Sequence, residues 1–482
     1  MLFKITVAFS DRKIYNDYSE INAEVLRTMN GYSLNDCKKV YFVGIGGVSM
    51  SALALILKSR GISVLGYDRS PSHETEILEN HGVEISYTTD DPELAGVDLL
   101  VYTAAVNESH PIVAEAIRAG IPCICRSVLL GDIGDGYAVS IGVSGTHGKS
   151  TTSGMISEIF NDAPGHDPSF AVGALLPFVN AYYKVGNDDT FIYEADEYKD
   201  SFLQFRPTTA VVLNVYHDHP DYYKNLGQVI RSFAKYISSA ENTVINLDCE
   251  NTPGVIENYK GKVFTFSADG NEKADFFATD VDISTGYAEY TLHYGSGCIR
   301  ISLSVPGLHN VANSLAAFAA CFINGLAPDV IASGMKSFTG VSRRFEKVGE
   351  INGACVVSDY AHHPDEIRAC LSSARRIASG RVITVFQAHT YSRLKGLYPD
   401  FVKSLKLSDL TAITDIFAAR ETDSLGMSGA KLAHDVGGTY TPSFEDAADY
   451  INKNARPGDL AVIMGAGDIY KVWDILKKML DK

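Results

Sequence analysis

The first persuasive run of hydrophobic positions is Val40-Tyr41-Phe42-Val43, which is β-branched and aromatic and stops at Gly44. A short apolar run bounded by glycine predicts a strand buried on both faces. After Gly44-Ile45-Gly46-Gly47, the stretch Ser49–Leu57 is apolar at nearly every position and predicts a buried helix. Ser63–Tyr67 predicts a second strand that ends at Asp68. Leu99–Thr103 and Ile121–Cys123 predict two more, with a helix near Val113–Ala119. Strands alternating with helices are the pattern of a parallel sheet. Gly131–Gly136 is rich in Gly and Asp and reads as a linker. The pattern restarts with strands at Tyr137–Val143, Phe191–Tyr193 and Ala210–Val215. Another break falls at Thr339-Gly340, followed by strands at Cys355–Ser358, Val382–Phe386, Leu410–Thr414 and Leu460–Met464. Three α/β domains are therefore expected, over 31–135, 136–341 and 342–482. Residues 1–30 have no clear period and read as an extension outside the fold, with Met29 a candidate start.

Charge narrows the class of partner. The 482 residues include 42 Lys and Arg against 58 Asp and Glu, a formal net charge of −16. A generic phosphate-backbone binder carries a basic face, so nucleic acid is not an expected partner. A small anion remains open, because it needs only a local site. No run approaches the ~20 apolar residues of a membrane span, so membrane insertion is not expected. Met1–Phe9 is apolar but short, and Asp11-Arg12-Lys13 follows, unlike a secretory signal. The eight cysteines are scattered without a CxxC, as free thiols in a reducing cytoplasm would be.

Two glycine loops carry candidate chemistry. The strand–Gly44-x-Gly46–helix order opens a Rossmann-like unit, although the third glycine of the dinucleotide fingerprint would fall at Ser49. NAD or the diphosphate of another nucleotide fits this loop equally, with Asp68 in reach of a ribose. The second loop, Ser144-Gly145-Thr146-His147-Gly148-Lys149-Ser150-Thr151-Thr152, also joins a strand to a helix. Its Gly-Lys-Ser core follows phosphate-loop logic: backbone N–H groups cradle phosphates, Lys149 reaches the terminal ones, and Ser150 ligates Mg²⁺. The standard loop has Gly at the position of Val143, so this is a shorter variant. Two later strands end in Glu194-Ala195-Asp196-Glu197 and His217-Asp218-His219, placing oxygen and nitrogen donors where a metal would sit beside phosphate. Ser342-Arg343-Arg344-Phe345-Glu346 lies at the third break, where an arginine would stabilise a transferring phosphoryl group. Asp359-Tyr360-Ala361-His362-His363-Pro364 and Phe386-Gln387-Ala388-His389, with Arg393, follow strands of the third domain.

Taken in order, these motifs resemble the Mur ligase family, the ATP-dependent amide-forming enzymes of peptidoglycan assembly. Further matches are Gly307-Leu308-His309-Asn310-Val311-Ala312-Asn313 and Asp415-Ile416-Phe417-Ala418-Ala419-Arg420-Glu421, the latter fitting the alanine-adding branch. The resemblance covers residue 31 to the C-terminus. It implies a Rossmann-like N-terminal domain, a central P-loop-type ATPase domain and a Rossmann-like C-terminal ligase domain. It implies UDP-N-acetylmuramate and L-alanine as substrates, with ATP and Mg²⁺. A sister enzyme that adds a preformed peptide to the same UDP-sugar during wall recycling is the neighbouring reading. The UDP part would lie at Gly44, Ile45, Gly46, Gly47, Val48 and Ser49, near Asp68, which favours UDP over NAD. ATP would lie at Gly145, Thr146, His147, Gly148, Lys149, Ser150 and Thr151, with Asn310 and Asn313 beside the adenine. Ser150, Glu194 and His219 would hold Mg²⁺, and Arg343 and Asp359 would complete the ATP site. His389 and Arg393 would lie near the reacting substrate or the amino acid, with His219 or His389 assisting proton removal. The family's usual Thr is Ser150 here, and its usual Pro-His-Arg after Gln387 is Ala388-His389-Thr390. A cytoplasmic monomer or weak homodimer is expected.

Overall fold

The computed structural model describes residues 32–103, 105–219, 222–419 and 421–480. The extension 1–30, with Met29, lies outside them, as do Pro220, Asp221 and Arg420. The chain folds as three α/β domains, each built on one sheet.

The first sheet holds β1 (Lys39–Val43), β2 (Ser63–Tyr67), β3 (Glu84–Ser86), β4 (Leu99–Tyr102) and β5 (Cys123–Cys125). Its order is β3-β2-β1-β4-β5, with every pair parallel. The chain winds one way from β1 to β3 and the other way from β4 to β5. Gly44–Gly47 therefore leaves β1 at the point where the winding reverses, the usual place for a ligand in such a sheet. Helix Val48–Ser59 follows, with Met50 to Leu57 buried. The segment Asp196–Arg206 groups with this sheet as one compact unit, although the sequence divisions assign it to the central domain.

The linker expected at Gly131–Gly136 is not found. Residues Arg126–Gly134 form a helix, in which Leu129, Leu130 and Ile133 are buried. Gly131 is there for close approach: a Cβ at this position would lie 2.2 Å from the carbonyl oxygen of Gln204. A glycine required by packing looks, in sequence, like a glycine required by a turn.

The second sheet has ten strands. They are β6 (Val139–Ser144), β7 (Ser169–Leu176), β8 (Ala181–Lys184), β9 (Thr190–Glu194), β10 (Thr209–Val212), β11 (Asn242–Asn246), β12 (Lys262–Ser267), β13 (Phe276–Asp282), β14 (Tyr287–Tyr294) and β15 (Gly297–Pro306). The order is β15-β14-β13-β12-β11-β10-β6-β9-β7-β8. β6 is central and parallel to both β10 and β9, so the loops after these three strands open on the same edge. Helices Lys149–Asp162 and His309–Ile323 fill the core beside the sheet, the latter through the buried run Ser314–Cys321.

The third sheet, order β16-β17-β21-β18-β19-β20, holds β16 (Glu346–Ile351), β17 (Ala354–Asp359), β18 (Val382–Phe386), β19 (Leu410–Ile413), β20 (Thr439–Tyr440) and β21 (Leu460–Met464). Only the β16–β17 pair is antiparallel. Alternate residues of β21 serve opposite faces. Leu460, Val462 and Met464 join one core, and Ala461 and Ile463 join the other. A strand buried on both faces has no polar side, which is why it reads as a continuous apolar run. The second and third sheets belong to one compact unit.

Candidate active site

Two glycines of the phosphate loop sit where an added side chain would be strained. Gly145 has φ +141°, and a Cβ there would lie 2.9 Å from Leu213 Cβ. Gly148 has φ +90°, and its Cβ would lie 2.5 Å from Asn313 Oδ1. Asn214, just beyond β10, holds the loop from below. Its Oδ1 accepts from His147 N at 2.8 Å, and its Nδ2 donates to the His147 carbonyl at 3.0 Å. Lys149 Nζ donates to the Gly145 carbonyl at 2.7 Å. Ser150 Oγ donates to Glu194 Oε1 at 2.8 Å, and the other oxygen of Glu194 accepts from Gly173 N. Loop, lysine, hydroxyl and carboxylate therefore meet at the N-terminus of helix Lys149–Asp162, where the helix dipole favours anions.

A cavity of about 300 Å³ opens beside this loop, between the second and third sheets. Its apolar part includes Leu213, Phe266, Val305 and Pro306, and its polar part includes His147, Ser150, Asn310, Arg344, Asp359 and Glu366. Gly148, Thr151 and Asn313 also line it. An apolar slot joined to a phosphate loop suits a nucleotide, with the base in the slot and the phosphates at the loop. Asn313 Nδ2 donates to Asn310 Oδ1 at 2.8 Å, and Asn310 Nδ2 donates to the Pro306 carbonyl at 2.8 Å. Asn313 therefore packs against the loop itself as well as facing the cavity.

Three carboxylates, Asp359, Asp365 and Glu366, line this anion site, and the environment shifts two of them. Burial pushes Asp359 up to about 6, against the attraction of Arg344 and hydrogen bonds from Ala361 N at 2.7 Å and Phe345 N at 2.8 Å. Burial also works to raise Glu366, but the His147 hydrogen bond and the charges of His362 and Arg344 outweigh it and hold it well below the carboxylate range.

Not every residue read from the sequence comes together here. Arg343 is not among the cavity-lining residues; its neighbour Arg344 is. The Arg343 guanidinium packs against the rings of Tyr360 (4.7 Å) and Tyr470 (4.8 Å). Its Nη2 donates to the carbonyls of Gly465 at 2.7 Å and Gly467 at 2.9 Å, so it braces the glycine turn after β21. Arg343 has φ +61°, and the Arg344 guanidinium also lies over the Tyr360 ring, at 5.2 Å, so one tyrosine carries both arginines. His219 has φ +53°, and its ring Nε2 lies 3.8 Å from Asp218 Oδ2. Among the described residues, no group of three or more His, Cys, Asp or Glu is arranged to hold a metal. His389, beyond β18, stacks on Phe417 with ring centroids 5.5 Å apart and faces His362 edge-on at 5.9 Å. Burial, reinforced by Arg393, lowers its pKa.

The glycine loop of the first sheet has its own tether. Asp68 Oδ2 accepts from Gly46 N at 2.8 Å, so Asp68 shapes the loop directly. Arg126 Nη1 donates to Ser49 Oγ at 2.8 Å and brings a cation to the start of helix Val48–Ser59. Sequence reasoning missed Arg126, Arg344 and Glu366. Only Arg344 had a local signal, as half of an Arg-Arg pair.

A phosphate loop on a central parallel strand, beside an apolar cavity, defines an α/β nucleotide-binding site. Three segments match models of one family: residues 39–138 match the Mur ligase family catalytic domain, 143–321 the Mur ligase middle domain, and 343–467 the Mur ligase glutamate ligase domain. The chain belongs to the Mur ligase family. It is 40% identical over 451 residues to the UDP-N-acetylmuramate–L-alanine ligase of Agathobacter rectalis, covering 91% of this chain and 98% of that one. It is 42% identical over 454 residues to the ligase of the same name from Lachnospira eligens, with the same coverage of both chains. Among solved structures, the UDP-N-acetylmuramate–alanine ligase of Thermotoga maritima superposes with a TM-score of 0.77 at 25% identity, over 92% of this chain and 99% of that one. A murein peptide ligase of Psychrobacter arcticus shares the fold, with a TM-score of 0.66 at 21% identity over 92% of this chain and 98% of that one.

Proposed function

We propose that this chain is an ATP-dependent ligase that joins L-alanine to the lactyl carboxylate of UDP-N-acetylmuramate. The products are UDP-N-acetylmuramoyl-L-alanine, ADP and phosphate, in peptidoglycan biosynthesis. The observation that carries this reading is the 40–42% identity to alanine-adding ligases over nearly their whole length. No helix among the described residues is long and apolar enough to cross a membrane.

The chemistry follows from the leaving group. A free carboxylate does not acylate an amine, because oxide leaves too poorly. Transfer of a phosphoryl group to the lactyl oxygen gives an acyl phosphate, and phosphate then leaves readily. In this chain the N–H groups of Thr146 and His147 are taken by Asn214, so those of the following residues, Gly148 to Thr151 at the start of the helix, would bind the phosphates. Lys149 would exchange the Gly145 carbonyl for a terminal phosphate oxygen, and Arg344 would add positive charge from the third domain. Ser150 Oγ and Glu194 are hard oxygen donors already in contact, and this pair fits Mg²⁺, whose charge would offset that of the triphosphate. His219 is the further ligand expected from the family. The amine of L-alanine must lose a proton before it attacks. His389 is held neutral by burial and is suited to accept that proton; His219 is the other candidate.

The test is phosphate release with UDP-N-acetylmuramate, ATP, Mg²⁺ and each amino acid in turn. Release that requires L-alanine is expected. No release with L-alanine, or release only with a tripeptide, would overturn the reading.

A further inference from the structure

Glu366 is a carboxylate in the wall of a cavity read as an anion site, and its side chain is only 18% exposed. It sits in the first turn of helix Pro364–Ile377, shortly after the end of β17. One oxygen, Oε2, accepts from the backbone N–H groups of His362 at 3.1 Å and His363 at 3.2 Å. The other, Oε1, lies 3.2 Å from His147 Nδ1. His147 is the central residue of the phosphate loop on the second sheet, held from below by Asn214. Its ring also lies against that of His363, with centroids 5.9 Å apart.

We infer that Glu366 is a positioning residue for the phosphate loop: from the third domain it orients the His147 ring and so couples the loop's order to the docking of that domain. With Nδ1–H committed to Glu366, the ring nitrogen Nε2 is left unprotonated in the neutral ring. A buried carboxylate is tolerated in the anion site because it accepts from His362 N, His363 N and the His147 ring and is attracted by Arg344.

The inference rests on the cavity being an ATP site, so the experiment carries two readouts. Glu366→Gln keeps an oxygen for the two backbone N–H groups but turns an amide donor toward His147. Steady-state kinetics with ATP, UDP-N-acetylmuramate and L-alanine give KM and kcat for Glu366→Gln, His147→Ala and the double variant. Amide hydrogen exchange of residues 145–152, in the protein without nucleotide, reports loop order independently of activity. Glu366→Gln is expected to raise KM for ATP about tenfold, as loss of a charge-assisted hydrogen bond would, with the KM for UDP-N-acetylmuramate unmoved. It is also expected to speed exchange in the loop, and to add nothing further in the His147→Ala background. An unchanged KM for ATP and unchanged loop exchange would overturn it, as would effects that multiply in the double variant. If the wild-type chain released no phosphate, the ligase reading would fail while loop exchange still decided this one.

Discussion

Substituting alanine for Gly148 tests whether the phosphate loop is as tightly determined as its geometry implies. Gly148 has φ +90°, where an L-residue costs ~1–2 kcal/mol in backbone strain alone. The added Cβ would also meet Asn313 Oδ1 at 2.5 Å. Asn313 has little room to retreat, because its Nδ2 is bonded to Asn310, which is bonded in turn to the Pro306 carbonyl. Loop and asparagine must therefore part by roughly half an ångström to one, and a shift of about 1 Å in a catalytic loop costs about 10²-fold in rate. Gly165 supplies the control, since it has φ +83° and a Cβ added there would meet nothing within 4 Å. Gly165→Ala is expected to lower the thermal midpoint slightly and leave kcat/KM for ATP unchanged. Gly148→Ala is expected to lower kcat/KM about 100-fold at a comparable midpoint. If both variants kept near-wild-type kcat/KM, the packing of Asn313 against the loop would not constrain it, and the reasoning would fail.

Other consequences are equally direct. Glu158, in the helix that follows the phosphate loop, is pushed up to about 7, first by burial and then by Asp162, against a hydrogen bond from Ser337. A carboxyl raised in the fold favours its protonated form. Its stability penalty is therefore absent below pH 4.5, grows as pH rises toward 7, and is complete above it. Glu158→Gln should add at most on the order of 1–3 kcal/mol of stability at pH 8, read as a higher thermal midpoint, and leave the midpoint unchanged at pH 4; equal shifts at both pH values would refute this. Gly131→Ala adds helix propensity worth ~1 kcal/mol but drives a methyl onto the Gln204 carbonyl, so denaturation should show a net loss. Arg343→Lys removes both the ring contacts and the forked bond to Gly465 and Gly467, and should lower the midpoint. Arg344→Lys should instead raise KM for ATP with little thermal effect. The opposite pattern would reverse the roles assigned to the two arginines.

The fold is most legible where burial is most complete. Val382–Phe386 and Leu460–Met464 read as strands with the boundaries the structure gives, because strands covered on both faces are unbroken apolar runs. The strands β13 to β15 escape such a reading, although their signal is present. Ala288, Tyr290 and Leu292 are buried at every second position of β14, and more exposed residues between them mask the run. Gly131 misleads because packing and turn formation ask for the same residue. In the site, the loop glycines and Ser150 are legible because phosphate-loop chemistry is local. Which of two adjacent arginines lines the cavity is not, because Arg343 is held by the carbonyls of Gly465 and Gly467, 122 and 124 positions away. Nor is Glu366, whose partner His147 is 219 positions away.

An acidic chain that binds a triphosphate has to arrange its few local cations well. Three carboxylates line the cavity: Asp365 pairs with Arg368, Asp359 is pushed toward its neutral form and takes two backbone N–H groups, and Glu366 holds His147 and attracts Arg344. None of the three is left without a partner, and Glu366 orients the His147 ring of the phosphate loop. The −16 net charge then has little bearing on the site, because screened surface carboxylates act weakly beyond ~8–10 Å. Affinity for the nucleotide should depend on the N–H groups of one loop and the rings and guanidinium that its neighbours orient. Reversing exposed charges far from the cavity should accordingly change KM for ATP far less than moving a single methyl group into the Gly148 position.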